Sequence, residues 1–291
     1  ISRIRNNGVL PMITSCSPGW IKYVETFYPQ LLPNVSTCKS PQQMLGALIK
    51  SFFAQTQGIA PEKIVSVSIM PCTAKKFEAQ RPEFAPNGLP DVDYVLTTRE
   101  AARLLRTCGI NMERLEPDNA DTPFGERSSA GKIFGAGGGV MEAAIRSAHF
   151  LLTGKELSEP KLTALRGTKD RKEMQLDIDG LKVGVAVVSG LGNARTLMNE
   201  IAAGRSDIHF IEIMACPGGC VGGGGQPIGL DRESVKERMK TLYNIDRDDA
   251  LRVSHKNANV QRLYREFLGE PLGHRSHELL HTHYGKRDVL R

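Results

Sequence analysis

The sequence predicts an α/β fold of two lobes, in which mainly parallel sheets are flanked by helices. Five apolar runs rich in β-branched residues have the length of strands, and they are nearly uniformly apolar, as strands covered on both faces are. These runs are Val9–Thr14, Ile64–Met70, Val92–Thr97, Val183–Ser189 and Ile208–Met214. Helical patterns follow several of them, for example at Arg99–Cys108 and Ala194–Ala203. A strand followed by a helix, repeated along the chain, is typical of parallel sheets.

Three of these predicted strands lead directly into loops that contain a cysteine. The first leads to Cys16, the second to Cys72 and the fifth to Cys216. In open α/β sheets, ligands bind beyond the carboxyl ends of the strands. We therefore expect the three cysteine loops to converge on one site, which lies between the lobes at the strand ends.

The composition is that of an ordinary globular protein. Of the 291 residues, 40% are hydrophobic and 24% are charged, and the net charge is +6. The basic excess suits an acidic electron-transfer partner, but no basic run is long enough to predict nucleic-acid binding. The sequence contains no apolar stretch of about 18 residues, so we expect no membrane span.

Six cysteines are too few for a disulfide scaffold in a chain of this length, so we expect a cytoplasmic protein with a few ligating thiolates. The chain begins without a methionine and inside a helical pattern, which indicates an N-terminally truncated piece of a longer protein. Residues 1–245 are predicted to form the main domain, and residues 246–291 a polar, helical tail that wraps the core. The charged stretch Thr153–Gly180 is expected to bulge from the surface.

The most specific motif is Glu212-Ile-Met-Ala-Cys216-Pro-Gly-Gly-Cys220-Val-Gly-Gly-Gly-Gly-Gln-Pro227. Its two cysteines, four positions apart, can ligate one cluster, and the residues between them permit a tight turn. Glycine has no Cβ, so Gly222 and Gly223 can bring backbone N–H groups against a metal site and its anionic ligands. The alternative is a glycine turn with two incidental buried cysteines.

The second motif, Met70-Pro-Cys72-Thr-Ala-Lys75-Lys-Phe-Glu78, joins a predicted strand to a helix. Cys72 closes the strand, and Lys75, at the start of the helix, can donate to an anionic ligand of a metal centre. Burying an unpaired ammonium costs several kcal/mol, so we expect an anionic ligand beside Lys75. The alternative is an ordinary helix start with a surface lysine.

The third motif is Thr14-Ser-Cys16-Ser-Pro-Gly-Trp20, followed by Ser36-Thr-Cys-Lys-Ser-Pro-Gln42. Trp20 is the only tryptophan, and we expect it to anchor the core. Together, the three motifs resemble the three signature segments of iron-only (FeFe) hydrogenases, written TSCCPxW, MPCxxKxxE and ExMACxxGCxxGGGxP. The resemblance extends from Asn6 to the end of the chain and includes the glycine run Phe134–Glu142. The C-terminal tail, residues 246–291, resembles the small subunit of this family.

This resemblance implies an enzyme that reversibly oxidises molecular hydrogen to protons and electrons. The implied cofactor is the H-cluster, a 4Fe–4S cubane bridged to a two-iron site that carries carbonyl, cyanide and azadithiolate ligands. Residues 1–245 would then be the catalytic domain that holds it. The resemblance also implies maturation proteins, and a ferredoxin or an accessory iron–sulfur domain or subunit as the electron partner.

Site residues follow from the same resemblance, position by position. Cys72, Cys216 and Cys220 ligate the cubane, and Cys220 also bridges to the two-iron site. Lys75 donates a hydrogen bond to a cyanide. The residues that line the two-iron pocket or cradle the cofactor are Pro41, Gln42, Met70, Met214, Gly222 and Gly223. Ser36 and Arg3 match positions of the family's proton path.

One departure from the family pattern concerns the fourth ligand of the cubane. The family commonly has a Cys-Cys pair, whose first member relays protons and whose second ligates the cubane, but here the pair is Cys16-Ser17. Simple alignment makes Cys16 the catalytic proton relay and places Ser17 at the ligand position. Serine is a poor ligand for iron–sulfur clusters, so a thiolate from Cys16 is the other candidate. Both assignments stay open from the sequence.

Two other functions are compatible with the same motifs. A hydrogen-sensing protein of the same fold would have little turnover, and retention of Cys16 argues against it. A non-catalytic iron–sulfur assembly protein would have no use for the features of a two-iron pocket. The complete Cys216–Pro227 run and Lys75 therefore argue against that alternative.

Overall fold

The computed structural model describes residues 1–157, 159–229 and 231–289 of the chain. Its strands form two sheets with helices packed around them, so the predicted α/β fold class is confirmed. The strands are β1 (Met12–Ile13), β2 (Val67–Met70), β3 (Tyr94–Thr97), β4 (Arg171–Ile178), β5 (Leu181–Ser189) and β6 (Phe210–Met214). Each of the five predicted runs overlaps one of these strands, and β4 is additional.

The helices have the following bounds. They are α1 (Ser2–Arg5), α2 (Pro18–Phe27), α3 (Pro41–Leu48), α4 (Ala54–Gln57), α5 (Ala74–Ala79), α6 (Thr98–Thr107), α7 (Ser129–Lys132), α8 (Gly139–Thr153), α9 (Leu191–Ala202), α10 (Arg232–Asp248), α11 (Ala258–Leu263) and α12 (His274–Leu280). Local sequence sets where several of them begin. Thr97 and Glu100 form a capping box at the start of α6, and Ser40 caps α3, whose first residue is Pro41.

The larger sheet has the strand order β1-β6-β5-β4, and β1, β6 and β5 are parallel. Ile13 pairs with Ile211, and Ser189 pairs with Met214. Because β1 and β6 run side by side in the same direction, the loops that follow them leave the sheet at the same edge. This arrangement brings the loop of Cys16 beside the loop of Cys216.

Apolar side chains cover both faces of the larger sheet, as a parallel sheet requires. On one face the core residues come from α2 and α9, and they include Trp20, Val24 and Leu197. On the other face Met141 and Ile145 of α8 pack against the central strand β5. Trp20 is fully buried, which confirms its predicted role as a core anchor.

Strand β4 corrects the expectation that Thr153–Gly180 bulges from the surface. Residues Arg171–Ile178 pair antiparallel with β5 along their whole length and form one edge of the larger sheet. Buried and more exposed positions alternate along much of β4, with Lys172 and Ile178 buried and Glu173 exposed. An edge strand of this kind tolerates charged residues on its outward side, so its composition is that of a surface segment.

The smaller sheet consists of β2 and β3, which are parallel. Helices α5 and α6 pack against it. Its outward face is apolar and exposed, because Val67, Ile69 and Tyr94 are 52%, 61% and 63% exposed. The expectation that β2 is covered on both faces is therefore wrong for the part of the chain that the structure describes.

The C-terminal residues return to the main body beside the third motif. The backbone N–H of Thr282 donates to the carbonyl of Thr37, that of Lys39 donates to the carbonyl of Leu280, and that of Arg287 donates to the carbonyl of Glu25 on α2.

Helix α10 runs through residue 245 without a break, and the predicted division at that residue stays a prediction. Every helix in the described ranges is too short or too polar to cross a bilayer.

Candidate metal centre

Four cysteines from three loops line one cavity of about 380 Å³. Cys16 follows β1, Cys72 follows β2, and Cys216 and Cys220 follow β6, so the cavity lies at the carboxyl ends of strands from both sheets. The expected convergence of the cysteine loops is therefore confirmed. The assignment of these thiols as metal ligands stays a prediction.

The thiols are close enough to influence one another's ionisation. Burial raises the pKa of Cys220 to about 11, and the nearby charges of Cys72 and Cys216 contribute to the rise, while Lys75 opposes it. Burial also raises the pKa of Cys216, and Cys72 contributes again. Because the thiolate is the form that binds metal, a metal that binds here must displace these protons.

The four thiols are the donor type of an iron–sulfur cluster. Among the residues that the structure describes, no three histidine, cysteine or acidic side chains are placed so that they could hold one metal ion. In a cubane each iron takes its own protein ligand, so the ligands are spread across the width of the cluster. Thiol donors also select iron–sulfur chemistry, whereas magnesium and calcium select oxygen donors.

Glycines allow the loop after β6 to fold tightly against the loop after β2. Gly219 has a φ of +91°, in the left-handed region that favours glycine. Gly223 lines the cavity, and a Cβ there would overlap the carbonyl oxygen of Pro71, so any side chain would push the two loops apart. Gly222 does not line the cavity; it packs against the carbonyl oxygen of Pro217 within the turn.

Lys75, on the first turn of α5, lines the cavity and is buried in an ion pair. Its Nζ lies 2.9 Å from Glu78 Oε2 and 3.0 Å from the carbonyl oxygen of Cys16. The two side chains are only 9% and 3% exposed. Glu78, three residues further along the helix, already pairs with this ammonium, so charge balance alone does not require a further anion. The hydrogen bond from Lys75 to an anionic ligand stays a prediction.

Glu78 also connects Lys75 to the segment that leads into α3. Its Oε2 accepts from Ser40 Oγ at 2.8 Å and from Gln42 Nε2 at 3.3 Å. Sequence reasoning assigned no role to Glu78, although its spacing from Lys75 was the signal available. The carboxylate fixes both the ammonium and one side of the cavity wall.

The remaining wall of the cavity is largely apolar. The structure places Pro41, Gln42, Met70 and Met214 in this wall. Phe134 and Val140 also line it; both belong to the glycine run Phe134–Glu142, to which the sequence analysis gave no role in the cavity. Such a wall excludes water and strengthens the electrostatic interactions of any group that binds inside.

Glu212 anchors the glycine run that carries Val140. Its carboxylate is fully buried and accepts from the backbone N–H groups of Gly138, at 2.7 Å, and Met141, at 2.6 Å. Burial raises the pKa of Glu212 to about 7, although these backbone hydrogen bonds and the charge of Lys172 act against the rise. Glu212 thereby holds the start of α8 against β6, beside the cavity.

Two family models match the chain. The model described as iron only hydrogenase large subunit, C-terminal domain, matches residues 1–224, and the model described as iron hydrogenase small subunit matches residues 232–287. The chain belongs to the iron-only hydrogenase family.

Similar proteins include both hydrogenases and an assembly protein. The NADP-reducing hydrogenase subunit HndD of Solidesulfovibrio fructosivorans is 48% identical over 98% of this chain and 48% of that protein. The cytosolic iron-sulfur assembly component 3 of Mus musculus is 38% identical over 94% of this chain and 59% of that protein. An apo FeFe-hydrogenase HydA1 from Chlamydomonas reinhardtii superposes with a TM-score of 0.86 at 43% identity, covering 99% of this chain and 79% of that one. The chain spans about half the length of the curated hydrogenases it matches.

Two residues that the iron-only hydrogenase resemblance places on the proton path do not line the cavity. Arg3 Nη1 donates to the backbone carbonyls of Val9, at 3.2 Å, and Asn34, at 3.4 Å. Ser36 Oγ accepts from the backbone N–H of Cys38 at 3.2 Å. Both residues support the segment behind the Cys16 loop, and their part in proton transfer stays a prediction.

Proposed function

We propose that the chain is the catalytic part of an iron-only hydrogenase, which interconverts molecular hydrogen, protons and electrons at an H-cluster. The observation that carries this proposal is a single cavity that combines four cysteine thiols, a buried lysine ammonium and an apolar wall. Thiols alone would serve an iron–sulfur assembly protein. The ammonium and the additional apolar space are features that a two-iron site with anionic ligands requires.

Cys72, Cys216 and Cys220 are the proposed cubane ligands, and Cys220 is the proposed bridge to the two-iron site. When bound, the H-cluster supplies the redox chemistry that cleaves and forms molecular hydrogen. Gly223 would keep the loop of Cys220 close to the loop of Cys72, because a Cβ at that point would overlap the carbonyl oxygen of Pro71. Pro41, Met70 and Met214 are the proposed apolar wall of the two-iron pocket, with Gln42 as its polar member.

Lys75 acts as a fixed positive charge at the wall of the cavity. Glu78 and the carbonyl of Cys16 hold the ammonium in place, so little rotamer freedom is lost when a ligand binds. An ammonium fixed in a water-poor cavity is a strong hydrogen-bond donor to an anion. A cyanide of the two-iron unit is the anion that the family resemblance supplies.

The partners follow from this proposal. Electrons would enter from a ferredoxin or from an accessory iron–sulfur domain or subunit, and maturation proteins would deliver the two-iron unit. The proposed location is the cytoplasm, because six cysteines in 291 residues are too few for a disulfide scaffold.

Infrared spectroscopy of the matured chain tests the proposal. We expect the bands of metal-bound carbonyl and cyanide in the wild type, and their loss in Lys75→Asn, since that variant lacks the cationic donor. Lys240→Asn, on the exposed side of α10, is the matched control and should keep the bands. A wild-type chain that retains a cubane but never shows these bands would have the assembly function instead.

A further inference from the structure

Cys16 and Ser17 serve different parts of the cavity, although both line it. Ser17 has an extended backbone, with φ −98° and ψ 107°. Side chains of neighbouring residues in extended backbone point to opposite sides. The loop therefore cannot present both side chains to the same iron, and the contact of the Ser17 hydroxyl shows which way that side chain faces.

The Ser17 hydroxyl faces the loop of Cys216. Ser17 is the N-cap residue of α2, a position where a serine oxygen ordinarily accepts a hydrogen bond from the first turn of the helix. Its side chain makes no such hydrogen bond here. Instead, Ser17 Oγ accepts from the backbone N–H of Ala215 at 3.2 Å, and Ala215 immediately precedes Cys216.

Cys16 belongs to the part of the cavity that contains Lys75. Its carbonyl oxygen accepts from Lys75 Nζ at 3.0 Å. The same Nζ lies 2.9 Å from Glu78 Oε2, so the backbone of Cys16 is tied to the Lys75–Glu78 ion pair on this side of the cavity.

We propose that Ser17 is the fourth protein ligand of the cubane in this chain, and that Cys16 remains a free thiol beside Lys75. The inference rests on the proposed function. As the Ser17 Oγ–iron bond forms, the hydroxyl proton leaves to solvent, so the ligand is an alkoxide. The amino-terminal end of α2 lies at Ser17, and its positive dipole favours the negative oxygen.

This ligand set differs from four thiolates in ways that can be measured. One iron is held by a harder oxygen donor that suits iron–sulfur clusters less well, so this iron is more labile and spectroscopically distinct. Ser17→Cys restores the Cys-Cys pair of the family pattern and should make the four irons similar. Ser17→Ala should leave one iron without a protein ligand.

The experiment uses the full chain loaded with the cubane alone, before the two-iron unit is inserted. Iron and sulfide content, ⁵⁷Fe Mössbauer spectra and the rate of iron loss to a chelator are compared among the wild type, Ser17→Cys, Ser17→Ala and Cys16→Ala. We expect one distinct iron in the wild type and four similar irons in Ser17→Cys. Ser17→Ala should lose iron to the chelator faster than the wild type, whereas Cys16→Ala should match the wild type. Far-ultraviolet circular dichroism of the four proteins establishes that each is folded.

The outcomes separate this inference from the function on which it rests. Loss of the cubane in Cys16→Ala, or a Ser17→Ala protein indistinguishable from the wild type, would overturn the ligand assignment and leave the hydrogenase proposal standing. If the wild type takes up no cubane at all, both proposals fail.

Discussion

Replacing Glu78 by glutamine removes the counter-charge of a buried ammonium and leaves a side chain of nearly the same shape. The Lys75 and Glu78 side chains are 9% and 3% exposed, so little solvent is available to screen the remaining charge. Removing one partner of a buried ion pair typically costs about 3–5 kcal/mol. We expect Glu78→Gln to lower the free energy of unfolding of the cluster-free chain by roughly this amount.

A double-mutant cycle identifies the cause of this loss. In Lys75→Met/Glu78→Gln the stranded charge is absent, so the double variant should be more stable than Glu78→Gln alone. Glu233→Gln breaks an ion pair with Lys236 in which the side chains are 66% and 50% exposed, and should cost less than about 1 kcal/mol. Urea unfolding followed by circular dichroism of the wild type, Lys75→Met, Glu78→Gln and the double variant gives the four free energies of the cycle, and the same measurement on Glu233→Gln gives that of the surface control. If Glu78→Gln loses no more free energy of unfolding than Glu233→Gln, or if the double variant is no more stable than Glu78→Gln, then Glu78 does not stabilise the fold by pairing with the buried charge of Lys75.

Three other substitutions test separate parts of the site. Burial raises the pKa of Glu212 from 4.5 to about 7, so the folded chain holds the proton of this carboxyl more tightly than the unfolded chain does. The free energy of unfolding should therefore fall by up to about 3 kcal/mol as the pH rises from about 4.5 to about 7. Urea unfolding at a series of pH values should show a smaller decrease of this free energy in Glu212→Gln than in the wild type. An equal decrease in the two proteins would contradict the role given to Glu212. Gly223→Ala should reduce the iron content of the protein, because the added Cβ would overlap the backbone of the loop that contains Pro71. Gly224→Ala is the control and should keep its iron, because the nearest atom to its Cβ would be 3.5 Å away. Equal iron contents in the two variants would refute the steric argument. Cys16→Ala should keep the cubane and reduce hydrogen turnover roughly 10²–10⁴-fold, the usual contribution of a proton-transfer group, and unchanged turnover would exclude Cys16 as the relay.

The sequence predicted the strands that position the site because each is a short apolar run that ends at a cysteine loop. In a parallel sheet this pattern fixes both the direction of the strand and the edge at which the loop emerges. Strand β4 was missed because it is an antiparallel edge strand, whose charged, alternating composition is also that of a surface loop. The exposed face of β2 was missed because an apolar run does not show what covers it.

Side-chain partners within the site were harder to predict than the site itself. The pairing of Lys75 with Glu78 follows from helical spacing, but its burial depends on Ser40 and Gln42, which reach it only through the tertiary fold. The direction in which Ser17 faces depends likewise on the distant backbone of Ala215. Periodicity and motif spacing carry no information on such long-range contacts.

Hydrogen evolution by the matured chain, measured by gas chromatography with a reduced artificial electron donor, shows whether this chain is a catalyst. We expect sustained evolution by the wild type, and hydrogen uptake when an oxidised acceptor replaces the donor. A protein that shows the carbonyl and cyanide bands but almost no turnover in either direction would be a hydrogen sensor, and that result would contradict the claim that this chain is a catalyst.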